Sequence, residues 1–179
     1  MKSFFVNSIV KIVNQSKSYS ISSKTKQQLN SLTIIFIKRL KNVILKLEIK
    51  KITLDVIINI FFIFLTGDLL KNSIKEGNQS IEYFENSKGI TRKQKSRLLI
   101  SPSSVKKIME LKMSSEILIF IASIIEYVIV EIINATTVLM KNKKRIKDSD
   151  IINGIKNDTE LSNFVCMYVY MCVAVCICM

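Results

Sequence analysis

From Ser114 onward the chain is a long apolar run that carries Glu126 and Glu131 inside it and stops at Lys141-Asn142-Lys143-Lys144-Arg145. The run is about seven helical turns at ~1.5 Å per residue, too long for a strand, and so predicts one long helix. A helix this apolar cannot bury its wide face alone and needs a partner of similar length. After the basic knot, Asp148 or Ser149 stands where it can cap a short helix reaching Ile155.

The first half carries the same rhythm. Ser3 to Gln15 sets Phe4, Phe5, Ile9, Ile12 and Val13 near one helical face, and Ser16 to Ser23 is a polar break ending in Ser22 or Ser23 as a cap. Lys24 to Leu47 runs through Leu29, Leu32, Phe36, Leu40, Val43, Ile44 and Leu47, with Lys38, Arg39, Lys41 and Lys46 mostly on the opposite side. Lys50-Lys51-Ile52-Thr53 is a short basic connection, and Thr53 caps Leu54 to Leu65, which stops at Thr66-Gly67-Asp68. Leu69 to Glu85 is a further amphipathic helix striped by Leu70, Ile74, Ile81 and Phe84. Asn86 to Ser101 is a polar, basic connector. Pro102 then leads Val105, Ile108, Met109 and Leu111, a short helix before the long one.

Composition narrows the function classes. One Pro and four Gly in 179 residues favour an all-α chain, and a net charge of +13 calls for a polyanionic partner, nucleic acid or an anionic membrane surface. There is no His, and every Cys lies beyond Asn163, which removes a metal site or a Cys/His nucleophile from the body of the protein. No phosphate loop can be assembled either, so neither enzymatic activity nor a cofactor is expected. The opening MKSFFVNSIVKIVNQ lacks the long apolar core and cleavage motif of a secretory signal.

Particular words carry a family resemblance. Ile124-Ile125-Glu126-Tyr127, Glu131-Ile132, Lys143-Lys144 before Arg145-Ile146, Ile155-Lys156-Asn157-Asp158 and Glu160-Leu161 resemble histone 2A in that order. Ser96-Arg97 ahead of Pro102 resembles the way into the same fold. Ile21-Ser22-Ser23-Lys24, Asn30-Ser31, Ile52-Thr53, Leu65-Thr66-Gly67-Asp68-Leu69 and Lys75-Glu76-Gly77 resemble histone 2B. The chain departs from the family in two loops, around Glu48 to Lys51 and Lys112 to Ser115, which are both shorter. It also lacks the glycine-containing docking segment of histone 2A. The resemblance implies an all-α protein of two histone folds, each short helix–long helix–short helix, paired as an intramolecular pseudo-heterodimer. The histone 2B-like fold with its C-terminal helix would cover 1–88, the connector 89–101, the histone 2A-like fold 102–163, and an apolar tail 164–179. Fused doublets in this order resemble those of large DNA viruses of protists.

The function implied is structural: wrapping double-stranded DNA without sequence specificity, in a nucleosome-like particle with a histone three/four-type tetramer or doublet. That places the chain on chromosomes in a nucleus, or in a viral factory and virion. In a histone pair the loops between helices meet successive minor grooves, where Lys and Arg neutralise phosphates and helix N-termini add amide donors. The candidate DNA-binding residues are therefore Ser22, Ser23, Lys24, Lys50, Lys51, Thr53, Arg97, Lys106, Lys107, Lys112, Lys143, Lys144, Arg145 and Lys147. Arg145 best matches the groove-inserted arginine, with Lys147 as its rival, and near Pro102 only Lys106 and Lys107 stand in for a missing one.

Glu126 and Glu131 would be costly if fully buried in an apolar helix, and a wet stripe is the plain reading. The resemblance instead groups them with Asp68, Glu76, Asp158 and Glu160 as an acidic patch for basic chromatin-binding peptides. Asn134 and Thr159 stand where the family has acids.

The tail, FVCMYVYMCVAVCICM, has three readings. As a membrane anchor its sixteen residues fall short of the ~20 needed to span. Cys166, Cys172, Cys176 or Cys178 are candidates for palmitoylation. Val, Cys, Met and Tyr in this order are also what a short nucleotide repeat would encode. The alternative for the whole chain is a basic helical membrane protein spanning at Ile117 to Met140 and in the tail, which would set Glu126 and Glu131 mid-bilayer.

Overall fold

Three hydroxyl caps open three of the helices. Ser22 Oγ accepts from the Thr25 amide at 3.2 Å, Thr53 Oγ1 from Val56 at 3.4 Å, and Ser114 Oγ from Ile117 at 3.3 Å. Each satisfies one of the amides that a helix start leaves without a partner. In the computed structural model, residues 3–15, 19–49, 51–87, 97–140 and 144–165 are described, and they are mostly helical. The order is α1 Val6–Gln15, β1 Ser20–Ile21, α2 Ser23–Lys46, α3 Leu54–Phe64, α4 Gly67–Asn86, α5 Pro102–Met109, α6 Ser115–Leu139, β2 Arg145–Ile146 and α7 Asp148–Asn157. A last helical segment covers 159–165.

Helix starts differ from the pattern at three places, each for a local reason. α1 begins at Val6 rather than Ser3, with the Phe5 amide donated to Asn30 Oδ1 on α2 at 3.0 Å. α4 begins at Gly67, two residues before the apolar stripe, because Glu160 caps it from far along the chain. Its carboxylate accepts from the Asp68 amide at 2.9 Å and from Leu69 at 2.6 Å. Gly67 has φ +58°, and a Cβ there would lie 1.8 Å from Glu160 Oε1, so this cap requires glycine. α7 is capped neither by Asp148 nor by Ser149. Lys147 holds the cap position, and buried Asp150 reaches back from the first turn to accept its amide at 2.9 Å.

The long helices share their neighbours. α1 and α5 each pack on both α2 and α6, as do α3 and α7. A parallel ladder joins β1, just before α2, to β2, just after α6. Near the opposite end of α2, Lys41 meets Glu110, which lies shortly before α6. The two long helices therefore run in opposite directions. α6 is buried on most of its surface, including Phe120, Ile121, Ile124, Ile132 and Ile133. One apolar cluster spans both halves of the sequence, and each fully buried Ile, Leu or Phe in it contributes about 1.5–3 kcal/mol of transfer free energy.

Aromatic rings stitch this core. Phe36 on α2 packs against Phe61 at 5.9 Å and edge-on to Phe64 at 5.7 Å, both on α3, and Phe61 meets Phe120 on α6 at 6.1 Å. Phe164 completes the set, edge-on to Phe36 at 5.3 Å and 2% exposed. Phe164 thus belongs to the folded body, not to the tail in which the sequence pattern groups it. Its ring fills space beside Phe36 that would otherwise be a void. The rest of the tail, 166–179, lies outside the described residues. Among those described, no helix is long and apolar enough to cross a membrane.

Candidate nucleic-acid interface

The β1–β2 ladder builds the best-defined cationic edge. The Ser20 amide donates to the Lys144 carbonyl at 2.9 Å and the Ser22 amide to the Ile146 carbonyl at 3.0 Å, with Ser20 opposite Arg145 and Ile21 opposite Ile146. Strand alternation then sorts the side chains. Ile21 and Ile146 turn into the core, while Ser20 and Arg145 face solvent. The ladder sets Ser22, Ser23 and Lys24, at the start of α2, beside Lys144, Arg145 and Lys147.

Lys144, Arg145 and Lys147 are exposed. Lys24 pairs with Asp148 Oδ2 at 2.6 Å, and its hydrogen bond, the largest cause, holds the Asp148 carboxyl below its ordinary range. Ser22 Oγ is committed to the cap and to Thr25 Oγ1 at 2.7 Å. The edge can bind polyanions through its exposed cations and the amides at the start of α2. Asp148 as a counter-ion to Lys24 was not visible in the sequence, where it read only as a cap.

The remaining candidates are spread more widely. Lys51 and Lys112 are exposed in the loops after α2 and after α5, Lys106 and Lys107 are exposed on α5, and Thr53 is the cap of α3. Lys50 and Lys143 lie outside the described residues, as do Lys141, Asn142 and residues 88–96 of the connector. Arg97, at φ +49°, lays its guanidinium over the Tyr83 ring on α4, 4.0 Å from the centroid. Its visible role is to fasten the chain ahead of α5 to α4 through a cation–π contact. Sequence reasoning placed Lys41 and Lys38 on a plain polar face. Lys41 pairs with Glu110 at 2.6 Å, and both lysines line a cleft between α2 and α5. Their three-residue spacing puts them on one face of α2, but only the fold supplies the opposite wall.

The six acids take different positions. Glu160 caps α4, whose first turn contains Asp68, so these two lie together. Asp158 caps the helical segment over 159–165 by accepting from Leu161 at 2.9 Å. Tyr127 gathers two more: burial first, then the charge of Glu131, raise its phenol, which also bonds the side chains of Asn72 and Glu131 and feels Glu76. Glu126 is engaged elsewhere. Its Oε2 accepts from the Leu99 amide at 2.7 Å and from Ile100 at 2.8 Å, and desolvation raises its carboxyl despite these two bonds. Five residues apart on a helix is roughly 140° around it, so Glu126 and Glu131 serve different sides of α6.

No protein-family model matches the chain, and no curated protein does.

Proposed function

We propose that this chain is a DNA-packaging protein in which a histone 2B-like fold and a histone 2A-like fold pair within one polypeptide. The pair binds double-stranded DNA without sequence specificity and works beside a histone three/four-type tetramer or doublet in a nucleosome-like particle, on a chromosome or in a viral factory and virion. The observation that carries the reading is the parallel β1–β2 ladder. It joins the loop ahead of one long helix to the loop behind the other, buries two isoleucines, and leaves Arg145 facing outward next to the start of α2. A histone pair needs that juxtaposition for its loops to meet a minor groove together. The repeated order of short and long helices supports the same reading, as does the charge of +13.

The acids support a second contact within this function. Glu76 and Glu131 around Tyr127, with Asp68 and Glu160 at the start of α4, would receive an arginine-bearing basic peptide through charge-assisted bonds. Glu126, bonded to backbone amides, would be a support for the connector instead of an anchor.

The deciding experiment is nuclease digestion of DNA reconstituted with this chain and a histone three/four-type tetramer. A protected fragment of defined length is expected, and a featureless digest would overturn the reading. Replacing Lys144, Arg145 and Lys147 with Ala should lower the salt slope of DNA binding, alike for all sequences, by up to ~0.9 for each phosphate that is no longer neutralised.

A further inference from the structure

The cleft between α2 and α5 has a composition that calls for a ligand. Lys38 and Lys41 from α2 and Lys107 from α5 line it, with Glu110 at the end of α5 and Phe4 and Ile108 as apolar wall, enclosing about 480 Å3. Lys38 and Lys107 are exposed and Lys41 is half-buried. Ammonium groups gathered in one concavity repel one another, and the apolar wall weakens the dielectric screening between them. Glu110 neutralises one of them through its 2.6 Å pair with Lys41. Three lysines less one glutamate leave two net positive charges lining the cleft.

We infer that this cleft binds paired phosphates, two negative charges a few ångströms apart carried by one ligand. Lysine suits that role as a mobile point charge that meets phosphate from many directions. The ammonium groups come from two helices, so the site exists only when α2 and α5 are packed together. The pair Lys41–Glu110 acts as its internal competitor, because Glu110 occupies an ammonium that phosphate would otherwise take. Two sources supply this chemistry. Adjacent phosphates of a DNA strand would do so under the packaging function proposed above, on which that source rests. A free polyphosphate would do so without it.

The test measures inorganic tripolyphosphate by calorimetry and DNA by the salt slope, on the full chain. Lys38→Gln with Lys107→Gln should weaken tripolyphosphate about tenfold, the ~1.4 kcal/mol expected of two partly screened ion pairs. Where DNA is the source, the same double variant should lower the DNA slope by up to ~0.9 for each phosphate that is no longer neutralised. Glu110→Gln, which frees Lys41, should strengthen tripolyphosphate binding. Lys11→Gln with Lys75→Gln makes an equal charge change at exposed lysines outside the cleft and should leave tripolyphosphate unchanged. Weaker tripolyphosphate binding with an unchanged DNA slope assigns the cleft to a free polyphosphate. A slope that falls further than in the Lys11/Lys75 control assigns it to DNA. If the wild-type chain does not bind DNA at all, the packaging reading fails and the tripolyphosphate arm still decides the cleft. Equal behaviour of the cleft variant and the control in both measurements overturns the inference.

Discussion

The two ends of α2 are closed by different physics. At its start, main-chain hydrogen bonds join β1 to β2 and two isoleucines are sealed beneath them, 7% and 0% exposed. Near its finish α2 is tied to the end of α5 by a side-chain pair, Lys41 to Glu110, with Glu110 70% exposed. No ladder joins residues 47–53 to 110–114 among those described, and Leu45 and Leu47 stand exposed nearby. Backbone bonds over a dry core fix the exposed cations beside them without spending side-chain entropy, whereas an exposed ion pair is weak and salt-sensitive.

Breaking the ladder end should therefore cost most. Ile146→Ala removes a fully buried side chain and should destabilise the fold by about 2–4 kcal/mol. Leu47→Ala, at a residue 56% exposed, should stay within about 0.5 kcal/mol. Chemical denaturation of both variants checks this, and equal losses would erase the contrast between the ends. Gly154→Ala comes next. Its Cβ would sit 2.6 Å from Thr136 Oγ1 and 2.8 Å from the Thr136 backbone N and Cα. Backbone cannot swing aside as a side chain can, so α7 would lift from α6, at about 1–3 kcal/mol. A melting temperature like that of wild type would show that α7 is not seated so closely.

This contrast explains what the sequence disclosed. The helices and the caps Ser22 and Thr53 were legible because period and capping chemistry act over neighbouring residues. Interactions set by tertiary approach were not. Glu160 caps α4 from ninety-one residues beyond Leu69, and nothing in its surroundings announces that. Glu126 read as one of a group of acids, and only the packing of residues 99–100 against α6 shows where its oxygen goes. Phe164 looked like tail because its apolar neighbours hide a ring that fits beside Phe36. The basic edge was half legible: the residues could be named, but the ladder that gives them a common face pairs Ser20 with Arg145 and Ile21 with Ile146, positions far apart along the chain.

Titration separates two acids with opposite signs. Burial raises the Glu126 carboxyl above its ordinary 4.5, so the fold favours its protonated form more than the unfolded chain does. The resulting stability is full below the ordinary value and is lost as pH rises through the raised one. Both amide bonds converge on Oε2, leaving Oε1 to take the proton without losing either. Glu126→Gln should thus fold, keep residues 97–100 in place, and lose this part of the pH dependence. For Asp148 the carboxyl is depressed; its small contribution is present above the ordinary value and disappears as pH falls through the lowered one. Denaturation midpoints of wild type and Glu126→Gln from pH 4 to 8 check the first sign. Parallel curves would mean that Glu126 titrates as an exposed acid.

The smallest effect concerns the weaker closure itself. A double-mutant cycle over Lys41→Gln and Glu110→Gln should give a coupling of about 0.2–1 kcal/mol, as for pairs with one well-exposed partner. Raising the salt from 0.05 to 0.5 M, values chosen to shorten the Debye length from roughly 14 to 4 Å, should remove most of it. Gln keeps the left-handed φ of +52° at Glu110 no more strained than before, so the cycle reports the charges and not the backbone. The Lys41 side chain is only 22% exposed, because its stem lies along the cleft wall, and Gln retains part of that packing. The coupling should therefore be a minor share of what Ile146→Ala removes at the other end. A value that exceeds 2 kcal/mol and survives high salt would mean a dry, buried pair, and the two ends of α2 would then be equally firm.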